Sequence, residues 1–358
     1  MISFNGYFVG FHLNITFHML TKFIYICLNK NRIMEFEIFA DETHITDNDG
    51  KEYLGIGCLF VPVENKYRLV KRLSNLRCLN DESKIWSWDS SDCRHNCKYH
   101  GINDFEIHFK KIENSTSKTK IKICRKWVNF IINHNRYIQD RDKLLYFNIL
   151  YLDLEKLDFD IFGVEKDTTN IYSRFFRSVI LSARSFYFKN QDFTIKEIFH
   201  DVADEKESHD YFYRQPIDYL NVDERINVRT NRIKFIDSDH KNHDDVENKR
   251  NAHLIQLIDL ILGCCNQILF RTSSSENRNK IAGDFYPLFE EMWLKPYDYA
   301  NHFNHVQSQQ VQIFPKTIVK SQYDLDGELG WNSNQFHRDI KILDPRNSIK
   351  RTCLDDWL

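Results

Sequence analysis

Four acidic residues lie within or at the ends of apolar segments, where ionised side chains are uncommon. Asp41 ends the segment FEIFAD, and Asp201 ends IKEIFHD. Glu106 precedes a helix-like segment, and Asp259 lies inside LIQLIDLILG, where nearly all neighbours are apolar. Because an isolated carboxylate is costly to bury in its ionised form, we expect a positive charge to face Asp259.

The chemistry that such a set of acids supports is metal-assisted hydrolysis. Two strand ends, a helix start and a helix interior can meet at one sheet edge, where four ionised carboxylates repel one another. Two hard cations about 3.5–4 Å apart offset that repulsion and serve to cleave phosphodiesters. The sequence therefore predicts a catalytic site in which Asp41, Glu106, Asp201 and Asp259 bind two Mg²⁺ or Mn²⁺ ions. The alternative is ordinary capping and surface acids in a chain with 51 Asp and Glu.

Polar neighbours of these acids are candidates for supporting the site. Glu42 should point to the strand face opposite to that of the acid before it, since side chains alternate along a strand. His108 and His200 flank two of the predicted ligands, and each is either a general acid, a substrate-orienting group or a structural histidine. Ser238 follows a short strand and either donates a hydrogen bond to the site or belongs to a plain turn.

A narrow polar stripe runs along the apolar segment that holds Asp259. Gln256, Asp259 and Gly263 are spaced i, i+3 and i+7, so they share one face of a helix. Gly263 has no side chain and is expected to let another backbone or a ligand come close. Gln256 is therefore a supporting residue of the predicted site.

Two groups of basic residues are close in sequence to the acids. The first follows Glu106 directly, and the second precedes a strand that ends at Asp237. Phosphates are held by local positive charge, so these groups predict nucleic acid, either DNA or RNA, as the partner. Solvated helix faces are the alternative explanation of each group. The substrate-binding candidates are Lys110, Lys111, Lys122, Arg125, Arg229 and Arg232.

Alternating strand-like and helix-like segments must position these residues. Hydrophobic spacing predicts strands over 35–41, 53–63, 144–154, 194–202 and 233–236, and helices over 66–79, 115–133, 168–188 and 248–270. Strands followed by alternating helices and strands indicate an α/β fold with a mixed sheet covered by helices, in one main domain.

The order of the motifs resembles domain-of-unknown-function family 3800 (DUF3800), over roughly residues 35–270. The blocks that carry the resemblance are IFADETH, LGIGCLFV, FEIHFKK, IFHDVAD, FIDSDHKN and NAHLIQLIDLILG. The resemblance implies a ribonuclease H-like mixed β-sheet flanked by helices, with insertions and a C-terminal extension. It also implies acids at the positions of Asp41, Glu106, Asp201 and Asp259.

Three departures from the family pattern are visible. Thr43 and His44 stand where Ser-Gly is commoner, Ile258 stands where Ala is usual, and a longer insertion lies near residues 80–104. The first departure affects the loop geometry beside Asp41. The family has no single established substrate, so the resemblance supports the fold better than the reaction.

The domain organisation follows from these segments. We expect residues 1–33 to be an N-terminal extension, either part of the protein or upstream of a native start at Met34. We expect residues 34–283 to form the ribonuclease H-like domain that the resemblance implies, with the insertion near 80–104, and 284–358 to form a C-terminal extension of unknown role. The uncharged stretch at 1–21 contains His and Asn residues and is more polar than a typical membrane span. A membrane anchor at 1–33 remains the less favoured alternative.

Composition narrows the function classes further. The 49 Lys and Arg nearly balance the acids, which excludes a uniformly basic nucleic-acid binder. Only 11 glycines are present, and neither a Walker pattern nor GxGxxG occurs. Nine cysteines at irregular spacing indicate reduced thiols and a cytoplasmic protein.

A zinc site is the less favoured interpretation of one polar segment. Cys93, His95, Cys97 and His100 are four zinc-ligand types within eight residues. Zinc sites usually separate two ligand pairs by a longer loop, so an exposed loop is expected here.

These observations together predict a metal-dependent nuclease or a related phosphodiester hydrolase. The alternative is a nucleic-acid-binding or partner-binding module on the same fold, with weak or no catalysis.

Overall fold

A computed structural model describes most of the chain from Met34 onward. The described residues are 34–78, 103–137, 142–161, 168–188, 193–202, 217–218, 220, 226–294, 309–320 and 336–347. The predictions for 1–33, for nearly all of the insertion near 80–104 and for the zinc-ligand types at 93–100 lie outside them.

A mixed sheet of seven strands forms the centre of the described fold. The strands are β1 (Met34–Thr46), β2 (Glu52–Pro62), β3 (Tyr146–Asp153), β4 (Phe193–Asp201), β5 (Ile226–Val228), β6 (Ile233–Ile236) and β7 (Gln309–Phe314). Their order is β5-β4-β1-β2-β3-β7, and β6 also pairs with β4. β2 is antiparallel to β1 and β3, whereas the other pairs are parallel.

Helices cover both faces of this sheet. They are α1 (Lys66–Asn75), α2 (Phe109–Ile112), α3 (Lys118–Tyr137), α4 (Thr168–Tyr187), α5 (Val246–Phe270) and α6 (Glu276–Leu294). One apolar core joins α1, α3, α5 and α6 to one sheet face, and a second joins α4 to the other. β3 is buried along its whole length, and its sequence is accordingly apolar except at Asn148 and Asp153. The predicted α/β class is thereby confirmed.

Helix α5 lies at the centre of the first core. It is long and apolar enough to cross a membrane, but nearly all of its most apolar part is buried against the rest of the protein. Among the described helices no other passes that test. Because it is buried in this way, α5 is a core helix of the described fold.

The predicted domain boundary at residue 284 is wrong. That position falls inside α6, whose residues Ile281, Phe285 and Leu288 are buried in the first core. β7 then pairs with β3 as an integral strand of the sheet. The sheet and the helices packed on it therefore include residues well beyond 284. Local periodicity does not reveal this, because β7 pairs with a strand that is far away in sequence.

Gly263 provides close packing, but the group that approaches it is a side chain of the same protein. A Cβ at Gly263 would lie 2.2 Å from Cγ of Phe109, and Phe109 is buried. The phenyl ring of α2 thus packs directly on the backbone of α5, which fixes the segment that follows Glu106.

We expect Gly263→Ala to destabilise the protein by about 1–3 kcal/mol, because the new methyl group overlaps a packed ring. This loss outweighs the gain of about 1 kcal/mol in helix propensity. Gly283→Ala is the comparison in α6, where the methyl group would overlap the stem of Arg346, an exposed side chain that can rotate away more readily than a buried ring. Urea unfolding measures both changes; a Gly263→Ala protein as stable as the parent would contradict the packing described.

Candidate metal and active site

A cavity of about 550 Å³ opens between the second half of β1, α2 and α5. Its wall contains two of the predicted metal ligands together with polar residues from all three elements. The lining residues are Asp41, Glu42, Thr43, His44, Ile45, His108, Phe109, Lys110, Asp259, Leu262, Gly263, Asn266, Thr272 and Arg278.

Asp41 and Asp201 meet at one edge of the sheet because their strands are parallel. β1 and β4 pair in register, with Ala40 opposite His200, so the next residue of each strand is an aspartate. Burial and then the charge of Asp259 raise the pKa of Asp41 well above its usual value, with further contributions from Glu42 and Asp201. The structure thus brings three of the four predicted ligands close enough for their charges to affect the pKa values of Asp41 and Asp201.

The pKa of Asp201 is also raised. Burial raises its pKa to about 6, and the charge of Asp259 adds to the rise, while His200 opposes it. The cluster therefore favours protons, or another positive charge, near these carboxylates at neutral pH.

Close packing of α5 on the sheet brings Asp259 to this edge. Gly57 of β2 lies opposite Asp41, and a Cβ there would be 3.2 Å from the side chain of Ile258. The missing side chain gives Ile258 its space. Gly57 on the facing strand thus makes room for Ile258, which stands where Ala is usual in the family that the sequence resembles.

The positive group expected to face Asp259 is a histidine, assisted by a backbone amide. His108 Nδ1 lies 3.0 Å from Asp259 Oδ2, and the N–H of Phe109 donates to the same oxygen at 2.6 Å. The hydrogen bond to Asp259, and then its charge, raise the pKa of His108. His108 thus lies against Asp259 and lines the cavity.

Glu106 lies apart from the other three acids. Its Oε2 accepts from Lys111 Nζ at 2.5 Å, and its Oε1 accepts from Ser238 Oγ at 3.1 Å. It does not line the cavity, although its charge contributes to the raised pKa of His108. The structure therefore places Glu106 near His108, where Ser238 and Lys111 orient it, and not among the other three acids.

Glu42 lies on the sheet face opposite to Asp41, as strand alternation predicts. His200 Nε2 is 2.9 Å from Glu42 Oε2 and 2.6 Å from the hydroxyl of Tyr172. His200 Nδ1 also lies 2.8 Å from the carbonyl oxygen of Asp201. His200 is thus a buried structural histidine that fixes the backbone where β4 ends.

Gln256 ties two site segments to α5. Its Nε2 donates to the carbonyl of Ser238 at 2.6 Å, and its Oε1 accepts from the N–H of Ile107 at 3.1 Å. Arg77, which the sequence analysis did not single out, donates to the same Oε1 at 3.0 Å. An isolated arginine at the end of α1 carries no local signal for this role, because its partners are far away in sequence.

A group of metal-ligand types adjoins this network. Atoms of Asp104, His240 and His253 lie within 4.8 Å of one another. His240 Nε2 is 2.8 Å from Asp104 Oδ1, while its Nδ1 accepts from Gln256 at 3.2 Å. Burial alone would raise the pKa of Asp104, but the bond from His240 lowers it to about 2. Both ring nitrogens of His240 are thus engaged.

The charge next to this group also disfavours a cation. The buried Arg77 guanidinium lies 3.4 Å from His253 Nδ1. Burial, followed by the charges of Arg77 and His240, lowers the pKa of His253 well below its usual value. We therefore interpret the group as a hydrogen-bonded network that supports the site.

The first basic group borders the site only in part. Lys110 is exposed and lines the cavity. Lys111 is paired with Glu106, and Arg125 is paired with Asp284 of α6. Lys122 is exposed on α3 and does not line the cavity. Lys110 is thus the member of this group best placed to meet a bound phosphate.

The predicted position of the second basic group beside the acids is wrong. Arg229 forms an ion pair with Glu35 at the start of β1, six residues or about 20 Å along the strand from Asp41. Arg232 precedes β6, which reaches the level of Asp201 only at its far end. The strand pairing therefore places Arg229 at the opposite end of the strands from Asp201, and Arg232 beside the middle of β4.

Comparison with known proteins leaves the family open, since no family model matches the chain and no curated protein matches it. The resemblance to DUF3800 thus rests on the short sequence blocks alone.

Proposed function

We propose that this protein is a metal-dependent phosphodiester hydrolase acting on nucleic acid, with a ribonuclease H-like fold of the DUF3800 type. The observation that carries the proposal is the convergence of Asp41, Asp201 and Asp259 at one sheet edge, where burial and mutual repulsion raise the pKa values of Asp41 and Asp201. Such a cluster is unfavourable without a cation, and its ligand atoms are all oxygen.

These residues fit Mg²⁺ or Mn²⁺, which prefer carboxylate oxygens. Asp41, Asp201 and Asp259 would hold the metal, with Glu106 held nearby by Ser238 and Lys111. When bound, a divalent cation supplies an activated water and stabilises charge on the phosphate.

The remaining tasks fall to the protein's own side chains. His108 lines the cavity, and the contact of its Nδ1 with Asp259 favours the protonated ring. The proton on its other nitrogen, Nε2, would then go to the departing oxygen of a cleaved phosphodiester. Lys110 offers a positive charge to the phosphate at the cavity rim. The N–H of Phe109 keeps the Asp259 carboxylate in a fixed orientation.

The arrangement of the sequence blocks supports the family hypothesis. The blocks IFADETH, FEIHFKK, IFHDVAD and NAHLIQLIDLILG are dispersed over more than 200 residues. Each contributes a residue to the group formed by Asp41, His108, Asp201 and Asp259. A mixed sheet flanked by helices is compatible with the ribonuclease H-like fold that the resemblance implies.

One observation favours the alternative of a binding module with weak catalysis. Glu106 is engaged by Lys111 and Ser238, which leaves three carboxylates for the cations instead of four. Fewer ligand charges weaken cation binding.

The proposed function is tested with the full chain and a panel of labelled single- and double-stranded DNA and RNA. We expect cleavage of at least one substrate with Mn²⁺ or Mg²⁺, and none when EDTA is present. Binding of an oligonucleotide without cleavage at any Mn²⁺ concentration would favour the binding module. Cleavage that persists in EDTA would contradict the metal assignment.

A further inference from the structure

A second polar pair lies in the cavity beyond the carboxylates. β1 and α5 run along each other, so Thr43 and Asn266 face one another as Asp41 and Asp259 do. Asn266 Nδ2 lies 3.3 Å from Thr43 Oγ1. Along β1, Thr43 lies about 7 Å from Asp41. Along α5, Asn266 lies about 10 Å from Asp259, so the polar pair is about one nucleotide's length from the acids. All four residues line the same cavity.

Three residues that are neighbours across the sheet, Thr43, Gly55 and Tyr151, position this pair. Gly55 of β2 is the neighbour of both Thr43 and Tyr151. A Cβ at Gly55 would lie 2.7 Å from Thr43 and 2.8 Å from the Tyr151 ring. Its absence lets the buried Tyr151 extend to α5, where its hydroxyl donates to Asn266 Oδ1 at 2.6 Å.

The orientation of the Asn266 amide follows from that bond. Because Oδ1 is held by Tyr151, the Nδ2 group is directed towards Thr43 and the cavity. Asn266 is itself buried, with 9% of its surface exposed. A buried amide fixed in this way is a preorganised donor, and the Thr43 hydroxyl beside it both donates and accepts.

The chemistry of this pair differs from that of the carboxylate end. Neither Thr43 nor Asn266 carries a charge. Arg278, which also lines the cavity, donates to the carbonyl of Lys110 at 2.9 Å and pairs with Glu113 at 3.2 Å. Its charge is therefore largely offset. An uncharged donor and acceptor fit a neutral oxygen better than a second phosphate.

We propose that Thr43 and Asn266 form a subsite that binds an uncharged oxygen of the nucleotide next to the scissile phosphodiester. The inference rests on the proposed function, because the carboxylates define where the scissile phosphate lies. The oxygen belongs either to the sugar 2′-hydroxyl or to a base edge. The first source gives a preference for RNA, since this hydroxyl distinguishes RNA from DNA.

The test uses Asn266→Leu and Thr43→Val, each close in size to the residue it replaces. A fluorescein-labelled ten-nucleotide RNA and the DNA of the same sequence are titrated with each protein in Ca²⁺, and affinity is read by anisotropy. We expect each variant to bind at least one oligonucleotide about three- to tenfold more weakly, as for the loss of one or two hydrogen bonds. Thr46→Val, also on β1 but outside the cavity, is the matched control and should bind like the parent.

The two oligonucleotides separate the two sources of the oxygen. Loss of affinity for RNA alone assigns the 2′-hydroxyl, and equal loss for both assigns a base. Unchanged affinity in both variants, or a parent that binds neither oligonucleotide, overturns the subsite. Weakened binding by the variants together with no Mn²⁺-dependent cleavage by the parent overturns the proposed function alone. Thr43→Val retains the Tyr151–Asn266 bond, so the test survives if Asn266→Leu does not fold.

Discussion

We expect Asp259→Asn to lower cleavage by at least about 10³-fold and to abolish tight Mn²⁺ binding, while the protein stays folded. The loss is expected because the substitution removes a charged metal ligand and with it the stabilisation of the transition state. The fold is expected to survive because the amide oxygen of Asn can still accept the N–H of Phe109, which now donates to Asp259 Oδ2 at 2.6 Å. Cleavage rates and Mn²⁺ calorimetry measure the two effects.

Glu276→Gln provides the control for this substitution. It makes the same change of charge at an exposed residue of α6 that does not line the cavity, so cleavage and Mn²⁺ affinity should match those of the parent. If Asp259→Asn cleaves as fast as Glu276→Gln, Asp259 is not a metal ligand, and the site must be sought elsewhere.

Asp201→Asn stabilises the metal-free protein at pH 7.5, by about 2–3 kcal/mol. The pKa of Asp201 is raised to about 6 in the fold, whereas an unfolded aspartate titrates near 3.9. Between about pH 4 and 6 the unfolded chain has lost its proton while the folded carboxyl still holds it, so stability falls as pH rises. Above pH 6 Asp201 is ionised in the folded protein, and the full cost of burying its charge lowers the stability. Asn carries no charge and does not have this cost.

Thermal unfolding over pH 4–8 in EDTA tests this expectation. The parent and Asp201→Asn should have similar stability near pH 4 and should diverge as pH rises to 6. Adding Mn²⁺ at pH 7.5 should stabilise the parent by several degrees and the variant by much less, because the cation offsets the same repulsion. Equal stability of the two proteins at every pH would show that Asp201 is not a strained carboxylate.

Local patterns were sufficient to find most of the carboxylate cluster. Asp41 and Asp201 each end an apolar strand, and parallel pairing makes such ends neighbours. Asp259 stands out because an acid inside an apolar helix needs a partner. All three acids were recognised because they adjoin buried segments, and buried segments can be predicted from the spacing of hydrophobic residues.

The division of roles between Glu106 and His108 could not be predicted from spacing. Both lie in one short extended segment, two residues apart, and either could have faced the acids. The choice is made by distant partners: Ser238 and Lys111 hold Glu106, while Asp259 holds His108. Non-local hydrogen bonds of this kind leave no periodic trace in the sequence.

The placement of the basic residues could not be predicted either, because it also depends on non-local pairing. Arg229 is close in sequence to Asp237, yet the pairing of β5 with the start of β4 places it at the opposite end of the strands from Asp201. β7 was likewise missed, because it pairs with β3 across more than 150 residues of sequence. The role of α6 was missed because it depends on packing against α3 and α5.

The most direct test of the central claim is a crystal structure grown in Mn²⁺, with anomalous scattering recorded at the manganese edge. The account predicts a peak at the edge shared by β1, β4 and α5, with carboxylate oxygens of Asp41 and Asp259 about 2.0–2.3 Å away. A manganese peak bound instead by Asp104, His240 and His253, or a cluster that binds no manganese at saturating concentration, would contradict it.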